Sequence, residues 1–125
     1  MIDIRRVLHP FIRSIHPRSW FLRAPDDAQF EYLTYSFINV DDDGEGFNIV
    51  QLEIDGWDMP ANGDTTRLEN LMVELDEALN KKTLTSDNLV VSFYLDRKLS
   101  LEDDNPKIIR RKHIYQGRLF ERGDR

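Results

Sequence analysis

The strongest structural signal in the sequence is an amphipathic stretch in the middle of the chain, from about Asp64 to Lys82. Its apolar residues recur at the three- and four-residue intervals of one helical face: Leu68, Leu71, Met72, Leu75, Ala78 and Leu79. Thr66 and Glu69 have the spacing of a capping box, and Asp64 is an equally suitable N-cap. Because such a stripe has to be buried, the pattern predicts a helix packed against a sheet.

A second amphipathic helix is predicted near the N-terminus, over Asp3–Ile15. Its apolar residues also share one face: Ile4, Val7, Leu8, Phe11, Ile12 and Ile15. Pro10 lies inside this stretch, where it removes a backbone hydrogen bond and crowds the preceding turn. We therefore expect the helix to kink or to split in two at Pro10, and to end at Pro17.

Strand-like segments come in two pairs. Phe30–Val40 is rich in aromatic and β-branched residues, and apolar and polar residues alternate in Phe47–Trp57. The acidic, glycine-containing segment 41–46 between them suits a β-hairpin connection. A second pair of strands is predicted over Leu89–Lys98 and Ile108–Phe120.

The remaining segments are expected to be irregular. Residues 16–29 lack periodicity, with Trp20, Phe21 and Leu22 packed back on the sheet, while 83–88 form a turn and 99–106 an acidic loop. The element order then predicts an α+β fold, a four-stranded, largely antiparallel sheet with two helices packed on one face, in α-β-β-α-β-β order. The 125 residues suit one domain, 1–125, without an internal repeat.

Composition excludes several kinds of site. The sequence has no cysteine, which rules out disulfides, thiol nucleophiles and cysteine-bound zinc or iron–sulfur clusters. No apolar run approaches the roughly 20 residues of a membrane-spanning helix, and the N-terminus lacks the apolar stretch of a secretory signal. We therefore expect a cytoplasmic product without membrane association.

The net charge of −6 is distributed unevenly. Residues 1–24 carry a net charge of +4, residues 107–125 carry +5, and residues 25–106 carry −15. One interpretation is that the basic ends pack near acidic surface of the same domain and offset it. The other is a bipolar subunit whose positive face meets the negative face of a neighbouring copy, the head-to-tail contact that closes rings.

Two charged runs are candidates for surface contacts. The acidic run comprises Asp41, Asp42, Asp43 and Glu45. It lacks the spacing of a calcium-binding loop, so a solvated acidic turn is the better interpretation. In the basic run, alternation along a strand places Arg110 and Lys112 on one face and Arg111 and His113 on the other. Because this splits the run and the pI is about 5.0, pairing with an acidic neighbour is favoured over nucleic-acid binding.

No catalytic constellation is present. His9, His16 and His113 have no carboxylate partner at a metal-site or triad spacing, which favours structural or surface positions. The sequence contains no GxSxG, no HExxH and no glycine-rich phosphate loop. We expect a protein that is not an enzyme and that uses neither a metal nor a cofactor.

The segments resemble the tail terminator and tail completion proteins of long-tailed bacteriophages. The similarity is a pattern of elements that covers most of the chain and contains no catalytic signature. It runs through Leu22–Pro25, Phe30–Tyr35, Val50–Ile54 with Trp57, the helix Thr66–Leu79, Asp96–Arg97, Asp103–Pro106 and the strand from Arg110.

This resemblance implies a virion protein at the head–tail junction that forms a ring, commonly a hexamer. Such a ring caps the tail tube protein, ends its polymerisation and offers the tail to the head connector or stopper protein, and DNA passes through its bore without specific binding. Acidic walls keep phosphate from adhering. The implied interface or lumen candidates are Asp41, Asp42, Asp43, Glu45, Glu102, Asp103, Asp104, Arg110, Arg111 and Lys112.

Three alternatives stay open at this point. A head-completion or stopper protein of the same neck has no distinguishing sequence feature. A non-enzymatic cytoplasmic protein-binding module, monomeric or dimeric, would form no ring. An enzyme whose site is built across subunits would show a cleft of polar residues, for example one holding His113.

Overall fold

The computed structural model describes residues 2–42, 48–87 and 89–121. These residues form two helices and six strands. In chain order the elements are α1 (Ile2–Ile15), β1 (Ser19–Phe21), β2 (Tyr32–Asp42), β3 (Asn48–Asp58), α2 (Thr66–Leu79), β4 (Thr83–Thr85), β5 (Leu89–Glu102) and β6 (Ile109–Glu121).

All six strands belong to one mixed sheet in the order β1-β2-β3-β6-β5-β4, curved into a half-barrel. β1 runs parallel to β2, and the other neighbouring strands are antiparallel. The predicted four-stranded, largely antiparallel sheet is therefore wrong. It missed β1 and β4, which have three residues each and lie in segments predicted to be irregular or a turn.

The predicted acidic loop 99–106 is also shorter than expected. β5 continues to Glu102, because Leu99–Glu102 keep pairing with the opposite residues of β6. This stretch contains charged and polar residues and has no clear apolar pattern, so the sequence did not predict a strand here. Its strand conformation is stabilised by pairing with the neighbouring strand. Within the described residues only 103–108 connect β5 to β6.

The element order repeats itself along the chain. A helix of 14 residues, a strand of three residues and two long strands occur first as α1-β1-β2-β3 and again as α2-β4-β5-β6. The two halves meet where β3 pairs with β6, so the strand order reads the same from either edge. They differ at the edges, because β1 is parallel to its neighbour and β4 is antiparallel. The sequence, in which we find no repeat, does not show this symmetry.

The core lies between the helices and one face of the sheet. Each helix contributes residues with relative exposures of at most 2%, among them Ile4, Leu8 and Ile12 from α1 and Leu68, Leu75 and Leu79 from α2. Leu33, Leu52, Ile54 and Phe93 face them from the sheet with no exposure. At about 1.5 to 3 kcal/mol for each large apolar side chain removed from water, this layer dominates the stability of the fold.

Two details of the helices differ from the sequence prediction. Of the two predicted effects of Pro10, a kink or a split, the split does not occur, because α1 is one helix from Ile2 to Ile15 with Pro10 at an exposed position. The capping box is also absent, since the N-cap is Thr65 and its side chain makes no cap hydrogen bond. Instead Asp64 Oδ1 accepts a hydrogen bond from the Thr66 N–H at 2.9 Å.

Gly117 marks a close approach within the sheet. It lies opposite Phe93 across the β5–β6 ladder. A Cβ atom at this position would stand 2.8 Å from Phe93 Cε1 and 3.3 Å from Val91 Cγ2. Both neighbours are fully buried and cannot move aside without disturbing the core.

We expect Gly117→Ala to lower the free energy of unfolding by about 1 to 3 kcal/mol, because the added methyl overpacks this contact. Urea denaturation followed by circular dichroism measures the change. Gln116→Ala, at the exposed neighbouring position, is the control and should change stability by less than about 0.5 kcal/mol. Equal stability of the two variants would contradict the packing argument.

Candidate functional site

The sheet face opposite the helices carries the largest group of charged and aromatic contacts. Both helices pack on the other face, and no helix of the described residues covers this one. Side chains of β3 and β6 alternate across it, so that Glu53, Asp55, Arg110 and Lys112 point the same way and form an ion-pair ladder.

The side chains of the ion-pair ladder are joined by direct hydrogen bonds. Arg110 Nε donates to Asp55 Oδ2 at 2.7 Å. Lys112 Nζ donates to Glu53 Oε1 at 3.0 Å and lies 3.8 Å from Asp55 Oδ1. The side chain of Asp55 is only 9% exposed. Burial raises the pKa of Asp55 above its ordinary value, and the neighbouring Arg110 and Lys112 oppose that shift.

An aromatic cluster continues the ladder toward the β1 edge. The guanidinium of Arg110 lies 4.6 Å from the ring centroid of Trp57, and Trp57 stacks on Tyr32 with centroids 6.2 Å apart. The ring centroid of Tyr32 lies 5.2 Å from that of Phe30 and 5.7 Å from that of Trp20. Aromatic and cation–π contacts favour particular side-chain orientations, so these rings form one continuous aromatic surface.

The prediction that the basic run divides between two faces is confirmed. Arg110 and Lys112 belong to the ion-pair ladder, whereas Arg111 Nε donates to Glu69 Oε1 of α2 at 2.7 Å and His113 is buried beside the helix. Each of the three cations therefore has an acidic partner within the chain. These contacts correspond to the first interpretation of the charge distribution, in which basic segments offset acidic ones.

The acidic candidates lie at opposite ends of the sheet. Glu102 ends β5 beside the start of β6, and Asp41 and Asp42 end β2. Asp43 and Glu45 lie outside the described residues. Since β2 and β6 run the same way and each has more than ten residues, about 30 Å separates the two acidic ends. They cannot belong to one contact on the same rim.

Asp103 and Asp104 lie in the β5–β6 connection, where an open cleft of about 1030 Å³ separates this connection from the one between β3 and α2. Glu102, Asp103, Lys107 and Arg111 line the cleft together with apolar residues such as Met59 and Ile109. The Asn105 N–H donates to Asp103 Oδ2 at 3.0 Å, which orders the connection. Both signs of charge face the cleft, so it has no selective electrostatic character.

The histidines make structural hydrogen bonds. His9 Nδ1 lies 2.6 Å from the Tyr35 hydroxyl, and His16 Nε2 donates to the Glu31 carbonyl at 2.9 Å. His113 Nδ1 lies 3.1 Å from the Tyr115 hydroxyl, which donates to Asp76 Oδ1 at 2.9 Å.

This His113–Tyr115–Asp76 chain was not predicted, because its members come from different elements. His113 borders a small cleft of about 170 Å³ that Glu69, Lys98 and Arg111 also line. Burial, together with the charge of Lys98, lowers the pKa of His113. The tyrosine hydroxyl is already engaged on both sides, so the chain is best described as a buried polar connection between the sheet and α2.

The described residues contain no cluster of three or more histidine, aspartate or glutamate side chains positioned to hold a metal ion. Neither described helix has the length and apolar character needed to cross a membrane.

Comparison with solved structures gives a match over nearly the whole chain. A chain in the structure of the virion of the native gene transfer agent particle superposes with a TM-score of 0.73, covering 94% of this chain and 94% of that chain at 14% sequence identity. The two chains share a fold. No protein-family model and no curated protein matches the sequence.

We expect Arg110→Met to lower the free energy of unfolding by about 2 to 5 kcal/mol at pH 7, because it leaves the buried Asp55 carboxylate poorly compensated. Arg111→Met is the control, since its partner Glu69 is 50% exposed, and should cost less than about 1 kcal/mol. Chemical denaturation at pH 7 and pH 4 measures both. The loss in Arg110→Met should shrink at pH 4, where a protonated Asp55 needs no cation.

The buried His113 predicts a loss of stability in mild acid. Its pKa is lowered in the folded state, so the unfolded chain binds more protons once the pH falls below about 6.5. We expect the free energy of unfolding to decrease from pH 7 to pH 5, and to decrease less in His113→Gln. Thermal or urea unfolding across this range, with pH 8 as the reference, measures the slopes. Identical slopes would show that His113 does not contribute.

Proposed function

We propose that this protein is a structural virion component of the tail-terminator type, which forms a ring on the end of the tail tube, stops its polymerisation and presents the tail to the head. The observation that carries the proposal is the shared fold with a chain of the gene transfer agent virion over 94% of both chains. The sequence resemblance to tail terminator and completion proteins supports the same class independently.

The molecule has the surfaces that such an assembly needs. One face of the sheet carries the aromatic cluster and the ion-pair ladder, and neither helix packs over them. Because Arg110 and Lys112 are neutralised by their own subunit, this face would meet a partner without requiring that partner to bring a compensating charge. A structural contact therefore suits the face better than binding of nucleic acid.

The acidic residues support a bore that DNA crosses without specific binding. If the strands run along the ring axis, Asp41 and Asp42 lie at one rim and Glu102, Asp103 and Asp104 at the other. Carboxylates at both openings would repel phosphate and keep DNA moving. Under this proposal the partners are further copies of the chain, the tail tube protein and the head connector or stopper. The family that the chain resembles commonly forms rings of six copies.

A structural function also fits the chemistry of the interior. Among the buried side-chain polar atoms of the described residues, none lacks a hydrogen-bond partner. The cleft beside His113 is small, and the tyrosine and carboxylate next to it already bond each other. We propose that the protein performs no catalysis and resides in the virion at the head–tail junction.

The decisive experiment is electron microscopy of particles assembled without this protein. We expect tail tubes of uncontrolled length that do not join heads, because nothing ends polymerisation, and we expect the intact gene supplied in trans to restore a single length. A variant with Glu77→Gln, at an exposed position of α2 on the other side of the sheet, is a control for expression and should also restore it.

Tails of normal length that fail to attach to heads would contradict the terminator role and indicate a stopper. Intact, infectious particles that lack this polypeptide would contradict any place in the virion. Native mass spectrometry of the purified chain, with and without tail tubes, measures the oligomeric state separately. A protein-binding module would give only monomers or dimers at every concentration and under both conditions.

A further inference from the structure

Leu22 is an apolar side chain that the fold holds in solvent. It is 66% exposed, the highest value among the large hydrophobic residues that the structure describes. Its φ angle of 69° lies in the left-handed region, which is unfavourable for leucine. Two backbone hydrogen bonds fix this turn, from the Leu22 N–H to the Tyr35 carbonyl at 2.8 Å and from the Arg23 N–H to the Phe21 carbonyl at 2.9 Å. Backbone strain concentrates at functional sites, so this position is a candidate contact.

Two cations stand beside Leu22. The guanidinium of Arg5, on α1, lies 4.6 Å from the ring centroid of Phe21, and Arg23 follows Leu22 directly. Both arginines are exposed, and neither forms an ion pair with a carboxylate of the described residues. They differ in this from the three cations at the start of β6, which all have acidic partners. We call Leu22 with Arg5 and Arg23 the Leu22 knob.

The same chain carries an apolar cleft on another surface. It is the cleft of about 1030 Å³ between the β3–α2 and β5–β6 connections, and Met59, Leu101 and Ile109 are among its lining residues. Met59 is 42% exposed, so apolar surface in the cleft remains in contact with water. Ligand pockets span about 300 to 1,000 Å³, so this cleft has room for a protruding turn and not only for one side chain.

The charges that line the cleft balance, but its rim adds acids. Asp64, before α2, and Asp104, in the β5–β6 connection, are both exposed and form no ion pair with a cation of the described residues. Arg111, one of the cations of the lining, is already neutralised by Glu69. The cleft with its rim is therefore negative, whereas the Leu22 knob is positive.

We propose that the Leu22 knob of one copy docks in this cleft of the next copy. This inference rests on the proposed ring. Leu22 enters the apolar lining beside Met59, and Arg23 approaches Asp104 at the rim. Burial of Leu22 supplies a hydrophobic contribution, and arginine is enriched at the energetic centres of protein interfaces. A nucleic acid backbone would match the arginines but not the exposed leucine, so a protein surface is the better partner.

The contact is heterologous, because it joins two different surfaces, and repeated heterologous contacts form rings when the rotation between copies closes. It also constrains the geometry of the ring. Leu22 lies beside Tyr35 on the flank of β2, whereas the cleft opens beyond the end of the sheet at which β2 begins. Two surfaces that meet in a closed ring lie at the same height along its axis, so the strands are inclined to that axis.

Leu22→Gly separates this contact from the stability of the fold. Glycine adopts a positive φ without strain, so the variant should unfold at a denaturant concentration similar to that of the unmodified chain. Because the knob is removed, we expect self-association to weaken by at least about tenfold. Sedimentation velocity over a concentration series, with and without tail tubes, measures association. Unchanged association of the folded variant would overturn the proposal.

A charge exchange tests which surfaces meet. Arg23→Glu and Asp104→Arg, each alone, should weaken self-association about tenfold at physiological salt, because each brings like charges together. The double variant restores opposite charges in every contact and should recover most of the lost affinity. Lys81→Glu, an exposed cation outside both surfaces, is the control and should leave association unchanged. A double variant as weak as the single variants would overturn the pairing of Arg23 with Asp104.

The absence of cysteine permits a direct test of proximity. Ala24→Cys, beside the knob, and Ala61→Cys, in the cleft lining, are prepared as separate proteins and treated with a short bifunctional thiol reagent. We expect an equal mixture of the two to give a covalent dimer that neither variant gives alone. A dimer formed by either variant alone would indicate a symmetric contact and would overturn the proposal.

The outcomes distinguish this contact from the proposed function. Rings seen by native mass spectrometry without the cross-link between Ala24→Cys and Ala61→Cys would overturn the knob contact alone and leave the ring intact. A chain that stays monomeric, also with tail tubes present, would overturn both. The tail-length experiment still judges the terminator role by itself.

Discussion

The pairing of β3 with β6 determines how the two halves of the chain fit together. Eleven consecutive residue pairs, from Asn48–Leu119 to Asp58–Ile109, join the two halves of the chain. This register sets Glu53 and Asp55 beside Lys112 and Arg110 on one face, and it places the apolar residues of both strands under the helices on the other. A slip of one residue would exchange the two faces and bury the charges.

The ion-pair ladder shows how burial and charge balance at this seam. Removing Asp55 from water is unfavourable, as its raised pKa indicates, and the short contact with Arg110 offsets part of that cost. Arg110 is in turn held over Trp57. The ladder is thus better understood as a device that specifies register than as a large source of stability, since an incorrect register would leave these charges unpaired.

Periodicity predicted the helices and the four long strands, because each spans several repeats of its pattern. It could not predict β1 or β4, since three residues hold too little pattern and their strand conformation comes from the neighbouring strand. Alternation placed Arg110 and Lys112 on a common face, but their partners Asp55 and Glu53 depend on a register between strands about 60 residues apart. The His113–Tyr115–Asp76 chain has the same origin, for it needs α2 docked on β6.

The repeated element order has a consequence for polarity. A two-fold rotation about an axis perpendicular to the sheet, between β3 and β6, exchanges β2 with β5 and β3 with β6 and preserves their directions. The two ends of the four long strands therefore present the same order of strand starts and strand ends. Any surface that distinguishes one end of the sheet from the other must therefore be made by side chains and by the unlike outer strands, β1 and β4.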